Sequence, residues 1–176
     1  MELALLRIKK IKPMKIIEIS KEQIERAKKL YPFNELKGSI TKGEGNLRGA
    51  LGEIIVFDIF TEKGCKVDFN STFDFDLIID GHKIDVKTKA TNYKPVDSFN
   101  CCIPDAQKKQ KCDYYFFTYI SYDYKKCYLV GYKSKESFFK EADFANKGEI
   151  DPNGDGVWTF KDDCYNLRIK ALNKFK

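Results

Sequence analysis

Two runs of alternating residues, 73–79 and 82–89, meet at the dipeptide Asp80-Gly81, and they constrain this chain more than any other stretch. Side chains of a strand point alternately to its two faces. Phe73, Phe75, Leu77 and Ile79 therefore share one face of the first run, and Asp74, Asp76, Ile78 and Asp80 share the other. In the second run Ile84, Val86 and Thr88 share a face, and Lys83, Asp85, Lys87 and Lys89 share its reverse. Each strand thus has an apolar face for a core and a charged one. Asp-Gly is a favoured two-residue hairpin turn. It sets Ile79 against His82, Leu77 against Ile84 and Asp76 against Asp85. Opposed residues point to the same side with Cβ atoms about 4.5–5.5 Å apart, so the two carboxylates repel unless a cation sits between them. A turn centred on Gly81-His82 would instead set Asp76 against Lys87, and the same letters would describe an ion pair on a charged hairpin.

The rest of the chain supplies helices and strands around that hairpin. Ser20 and Gln23 form a capping-box pattern for a helix to about Leu30, stopped by Pro32. Residues 37–45, glycine-rich and polar, read as a mobile loop. Asn46 can cap a second helix to about Thr61, apolar on most sides and so expected to be buried. A β-like run at 65–70 precedes the hairpin, a polar connection covers 90–103, and a short basic helix spans about Asp105–Lys111. Residues 113–121 and 127–132 are strongly β-prone and joined by a hairpin around Asp123. The dense aromatics of 114–119 read as buried strand core rather than a stacking surface. Ser134 can cap a helix to about Phe144, a turn-rich segment covers 151–156, and short strands follow around 157–161 and 164–171. Residues 1–17, in which Leu and Ile alternate with Lys and Arg before Pro13, read as an edge strand or arm rather than a targeting peptide. This order predicts the α/β class, with a central mixed β-sheet flanked by helices in one domain over 1–176. Residues 46–132 would form its core, 1–45 an N-terminal arm and helix, and 133–176 a C-terminal helix and strands.

Composition removes several classes. With 43% apolar and 33% charged residues the chain can bury a core, so disorder is excluded. No apolar run approaches the ~20 residues that span a bilayer. The six cysteines form no C-x-x-C and His82 is the only histidine, so a structural zinc site lacks its ligand spacing. Scattered cysteines read as reduced thiols of a cytoplasmic protein. A Cys–His nucleophile pair would have to use His82, which falls in a turn. The net charge of +6 favours a polyanionic partner, a weak pointer on its own.

Carboxylate oxygens in a compact cluster suit magnesium or manganese. At this point the sequence resembles a known family: Asp76, followed by Asp85-Val86-Lys87 on the next strand, is similar to the PD-(D/E)xK nuclease signature, and Glu53 in Gly49-Ala50-Leu51-Gly52-Glu53 completes the likeness. The core of the resemblance covers residues 46–89. The later order, a basic helix with Gln107 and then two β-prone runs, also looks like small nucleases of this kind. Phe75 stands where the signature usually has proline. The resemblance implies a restriction-endonuclease-like core and a magnesium-dependent hydrolase, with manganese able to substitute, acting on phosphodiester bonds of DNA as an endonuclease. Asp76 and Asp85 would hold the metal, with the Val86 carbonyl as a further ligand. Lys87 would orient the water or stabilise developing charge, and Glu53 would complete the metal shell or bind a second ion through water.

Each assignment has a plainer counterpart. Asp76, Asp85 and Lys87 also fit a solvated charged face, and Glu53 an ordinary salt bridge. Arg48, Lys89, Gln107 and Lys108 are candidate nucleic-acid contacts, the last within the basic cluster Lys108, Lys109 and Lys111; all four also fit an exposed surface. Asp74 reads as support or surface, and His82 as a turn residue. Residues 151–162 resemble a calcium loop, but Asp162 stands where glutamate is expected, and Trp158-Thr159-Phe160 reads as strand where a helix should follow. Three functions remain open: the nuclease, which would pair into a homodimer to break both strands, a non-catalytic nucleic-acid-binding module of the same fold, and a calcium-binding protein.

Overall fold

The chain folds, in a computed structural model that describes residues 14–30, 44–70, 72–152 and 158–174, around two β-sheets and three helices. In chain order these are β1 (Lys15–Glu18), α1 (Lys21–Leu30), α2 (Glu44–Glu62), β2 (Val67–Phe69), β3 (Leu77–Ile79), β4 (His82–Thr91) and β5 (Asn100–Pro104). After a 3-10 turn at Asp105–Gln107 come β6 (Tyr114–Ser121), β7 (Lys126–Ser134), α3 (Lys135–Glu141), β8 (Asp143–Ala145), β9 (Cys164–Arg168) and a second 3-10 turn at Ile169–Ala171. The larger sheet has six strands in the order β1-β7-β6-β4-β3-β2, and the smaller has three in the order β5-β9-β8. The larger sheet is mixed: β4 and β6 run parallel and its other pairs are antiparallel. The class and the mixed sheet are as expected.

The Asp80-Gly81 turn explains the register at the centre. Both residues have positive φ, +47° at Asp80 and +87° at Gly81, as a primed two-residue turn requires. Leu77 then pairs with Ile84 and Ile79 with His82, the register the turn predicts. Two apolar layers form on the two sides of the larger sheet. Leu77, Ile79, Ile84, Val86, Tyr114, Phe116 and Ile120 pack with α1 and α2 on one side. Tyr115, Phe117, Tyr119, Tyr128 and Val130 pack with Phe138 of α3 and with Cys101, Ile103 and Leu167 of the smaller sheet on the other. Strand β6 is therefore buried on both faces, which is why it reads as an unbroken aromatic run.

Local signals hold where the responsible bonds are local. Ser20 and Gln23 make the reciprocal capping bonds, each at 3.1 Å. Ser134 Oγ accepts from Ser137 N at 3.2 Å and caps α3. Other boundaries move. Helix α2 begins at Glu44 rather than after Asn46, while residues 37–43 of the expected loop, like 1–13 of the expected arm, lie outside the described residues. Residues 73–76 are not strand: Thr72 N donates to Phe75 O at 3.2 Å and closes a tight turn. Period two fails there, and Phe75 packs with the layer opposite Leu77 and Ile79. Helix α3 stops at Glu141, so Phe144 lies in β8 instead. The connection 90–103 contains β5, and the helix expected over 105–111 is only the 3-10 turn. At the chain's other end Thr159 makes an isolated bridge to Ile150, and the strand expected over 164–171 turns to 3-10 after Arg168.

Candidate active site

Asp76 stands one residue before β3 and Asp85 lies inside β4, so the hairpin register brings them side by side. Asp76 N donates to Ile84 O at 3.0 Å, and Val86 N donates back to Asp76 Oδ2 at 2.7 Å. A strand residue sends its N–H and C=O to the same edge, so the Val86 carbonyl also lies on the edge that Asp76 occupies. The alternative register, Asp76 against Lys87, does not occur. Instead Lys87 Nζ forms an ion pair with Asp85 Oδ2 from two residues along the same face.

Asp85 is 2% exposed. Its Oδ1 accepts from Gln110 Nε2 at 2.9 Å; its Oδ2 meets the Lys87 ammonium. Two acids therefore share one ammonium in a site mostly closed to water. Burial pushes the Asp76 carboxyl up to about 7, with the neighbouring Asp85 charge adding to it, against the Val86 N–H and Lys87 that favour the ion. Burial also raises Asp85, although Lys87 and Gln110 pull the other way. Behind the pair, burial drives the Cys112 thiol up to about 11, with Asp85 the next cause. The Lys87 ammonium sits 5.9 Å from the Tyr115 ring centre. All six cysteines are free thiols.

The other predicted site residues separate from this cluster or take different partners. Glu53 is 7% exposed on α2. Next to it, Gly52 lies so close to the sheet that a methyl group there would meet Thr88 Oγ1 at 2.0 Å. Helix α2 thus covers the Ile84, Val86 and Thr88 face, the reverse of the face bearing Asp85 and Lys87. Among the described residues, no three His, Cys, Asp or Glu side chains gather as a metal-binding group. Arg48 is buried against Tyr122 and Tyr124, at 5.2 and 5.0 Å from their ring centres. That hairpin adjoins Thr91, six residues along β4 from Asp85, roughly 20 Å at about 3.3 Å per residue. Lys89 Nζ turns inward to Asn100 O at 3.1 Å and Cys102 Sγ at 3.0 Å. Lys108 donates to the Tyr165 hydroxyl at 2.7 Å, which raises its pKa.

Gln107 ends the 3-10 turn, and its carbonyl accepts from Gln110 N at 3.0 Å. Gln110 is the glutamine that reaches Asp85, and sequence reasoning missed it. Its signal was weak: it sits among lysines, and only tertiary contact shows that its side chain turns inward.

The calcium-loop resemblance meets a different arrangement. Arg168 Nη2 and Nη1 donate to Asp151 Oδ1 and Oδ2 at 2.6 and 3.1 Å, and Asn100 Nδ2 also donates to Oδ2. Asp151 N bonds Trp158 O at 3.0 Å, next to the antiparallel bridge between Ile150 and Thr159, where a calcium loop would lead into a helix. Residues 153–157 lie outside the described residues. No helix among the described residues is long and apolar enough to cross a membrane. No family model, no curated protein and no solved structure matches this chain.

Proposed function

We propose that this chain is a magnesium-dependent nuclease with a restriction-endonuclease-like core, hydrolysing phosphodiester bonds of DNA as an endonuclease inside the cell. One observation carries the reading: Asp76 and Asp85 lie side by side, largely buried, with a single lysine on Asp85 to offset two acids. Burying like charges together is costly, and a divalent cation relieves it. The available donors suit a hard cation. They are the carboxylates of Asp76 and Asp85 and the Val86 carbonyl. Magnesium takes few protein ligands and keeps several waters, so two carboxylates and a carbonyl suffice; manganese would substitute. Bound there, the metal polarises a phosphoryl oxygen and lowers the pKa of an attacking water.

The chain's own residues do the rest. Gln110 fixes the Asp85 carboxylate through Oδ1. Lys87, already on Asp85, provides the positive charge that steadies the phosphoryl oxygens as negative charge builds. Cutting both strands of a duplex would call for two copies of the chain.

A second reading, the non-catalytic nucleic-acid-binding module, draws on one observation: the helix carrying Glu53 covers the opposite face of the sheet. Incubation of plasmid and branched DNA with the wild type, Asp85→Asn and Lys87→Ala, in magnesium and in EDTA, tests both. Magnesium-dependent cutting that both variants lose is the expected result. A wild type that binds DNA and cuts none of it establishes the module instead.

A further inference from the structure

The turn between β2 and β3 holds an aromatic ring in water beside the carboxylate pair. Phe73 is 54% exposed. Its backbone carbonyl accepts from Gln110 Nε2 at 2.7 Å, and the same nitrogen donates to Asp85 Oδ1 at 2.9 Å. One side-chain amide therefore links the backbone of Phe73 to the buried carboxylate. The turn is pinned on three sides. Thr72 N bonds Phe75 O at 3.2 Å, Asn70 Nδ2 bonds Thr72 Oγ1 at 3.0 Å, and Lys111 N bonds Asp74 Oδ1 at 3.2 Å. Phe75 from this turn joins a core layer, so folding accounts for it. The exposed Phe73 ring buries nothing in a core layer.

One lysine lies against it, the Lys109 ammonium 5.6 Å from the Phe73 ring centre, and two residues along the turn the Lys83 ammonium lies 5.3 Å from the Phe75 ring centre. An exposed aromatic ring among cations is the arrangement that binds single strands, with a base on the ring and phosphates on the lysines. We infer that Phe73 is a stacking platform for an unpaired base of single-stranded DNA whose neighbouring phosphate meets Asp76 and Asp85. The inference deepens the nuclease reading and rests on it for the role of the carboxylates. Every base has a π face, so the platform sets no sequence preference. Bases inside a duplex already stack on each other, so it favours single strands, flaps and branch points.

Fluorescence anisotropy of a labelled oligothymidylate, alone and in duplex, measured in EDTA, reads this subsite without any cleavage. Phe73→Ala is expected to weaken single-strand binding about tenfold and to leave duplex binding and the melting temperature unchanged. Phe73→Trp should restore it. If Phe73→Ala binds the single strand as tightly as the wild type, or weakens single strand and duplex alike, the platform is overturned. Magnesium cleavage separates the two ideas. A chain that cuts DNA while its single-strand binding ignores Phe73 keeps the nuclease and loses the platform. One that binds through Phe73 yet never cuts keeps the platform and loses the nuclease.

Discussion

Two buried aspartates show what a charge can be for. Asp151 meets a guanidinium in a two-pronged pair, an amide donates to it as well, and each of its carboxylate oxygens has a donor. Its charge is balanced one to one by Arg168. Asp85 is buried as deeply, yet a second carboxylate lies beside it and the one ammonium in contact with it, that of Lys87, acts on both. A balanced, fully bonded carboxylate closes a structure, here tying Asn100 of β5 and Arg168 of β9 to Asp151. An unbalanced pair is held in place by its surroundings at a cost, which under the proposed function a cation would relieve.

The widest gap between the two should appear in activity. Asp85→Asn is expected to cut DNA at least a thousand-fold more slowly, on the order of losing more than one strong electrostatic contact, with the metal-free melting temperature changed less than by Arg168→Leu because the repulsion from Asp76 and the Lys87 ion pair are lost together. A plasmid-nicking time course beside a thermal melt checks both halves, and a variant that still cuts well would break the contrast. Arg168→Leu should do the reverse. It leaves Asp151 buried without its countercharge, at a cost of roughly 3–5 kcal/mol, readable by urea denaturation, while the folded fraction keeps its magnesium-dependent cutting. Gln110→Met sharpens the comparison from within the site. Phe73 O and Asp85 Oδ1 both lose a donor, which should cost about 1–3 kcal/mol and weaken magnesium binding, followed by calorimetry.

The smallest effect is one of pH. Asp76 is pushed from 3.8 up to about 7 in the folded chain. An acid raised in this way holds extra protons when folded, so stability is lost as pH rises from about 4 through about 7. Without metal, the melting temperature should therefore fall across that window, by an amount visible against the about 2–4 °C that ~1 kcal/mol moves a chain of this size. Asp76→Asn should flatten the fall. Magnesium should stabilise the wild type more at pH 8 than at pH 6, since it displaces protons from the pair. A melting temperature that rises with pH in metal-free wild type, and equally in Asp76→Asn, goes against the whole account.

The sequence showed what neighbouring residues decide between themselves. Asp80-Gly81 specifies a turn within two residues, and with the apolar pattern of Leu77, Ile79, Ile84 and Val86 it fixes which side chains oppose each other. The caps at Ser20 and Ser134 are three-residue affairs of the same kind. What stayed hidden depends on distant partners. Strands β5 and β8 are short, carry cysteine, proline or a charge, and exist because β9 runs between them. Gln110 looks like any residue in Lys108-Lys109-Gln110-Lys111, and only contact with Asp85, 25 positions earlier, turns it inward. Lys89 and Arg48 looked like surface cations, and aromatic and carbonyl partners elsewhere in the chain draw them in. For Glu53 the letters give the helix, and only the close seat of Gly52 on Thr88 and Thr118 shows which face of the sheet that helix covers.

The parallel pairing of β4 with β6 has a consequence in time. A hairpin closes as soon as its second strand exists, but β4 must wait for residues 92–113, including β5, before its parallel partner begins. At about 5–20 residues per second of synthesis this delay is roughly one to several seconds. During it the chain carries both aspartates and the lysine on an unpartnered strand edge, and the Gln110 that holds Asp85 arrives only with the last of the crossover. A nascent chain would thus hold the acidic pair well before it holds the site.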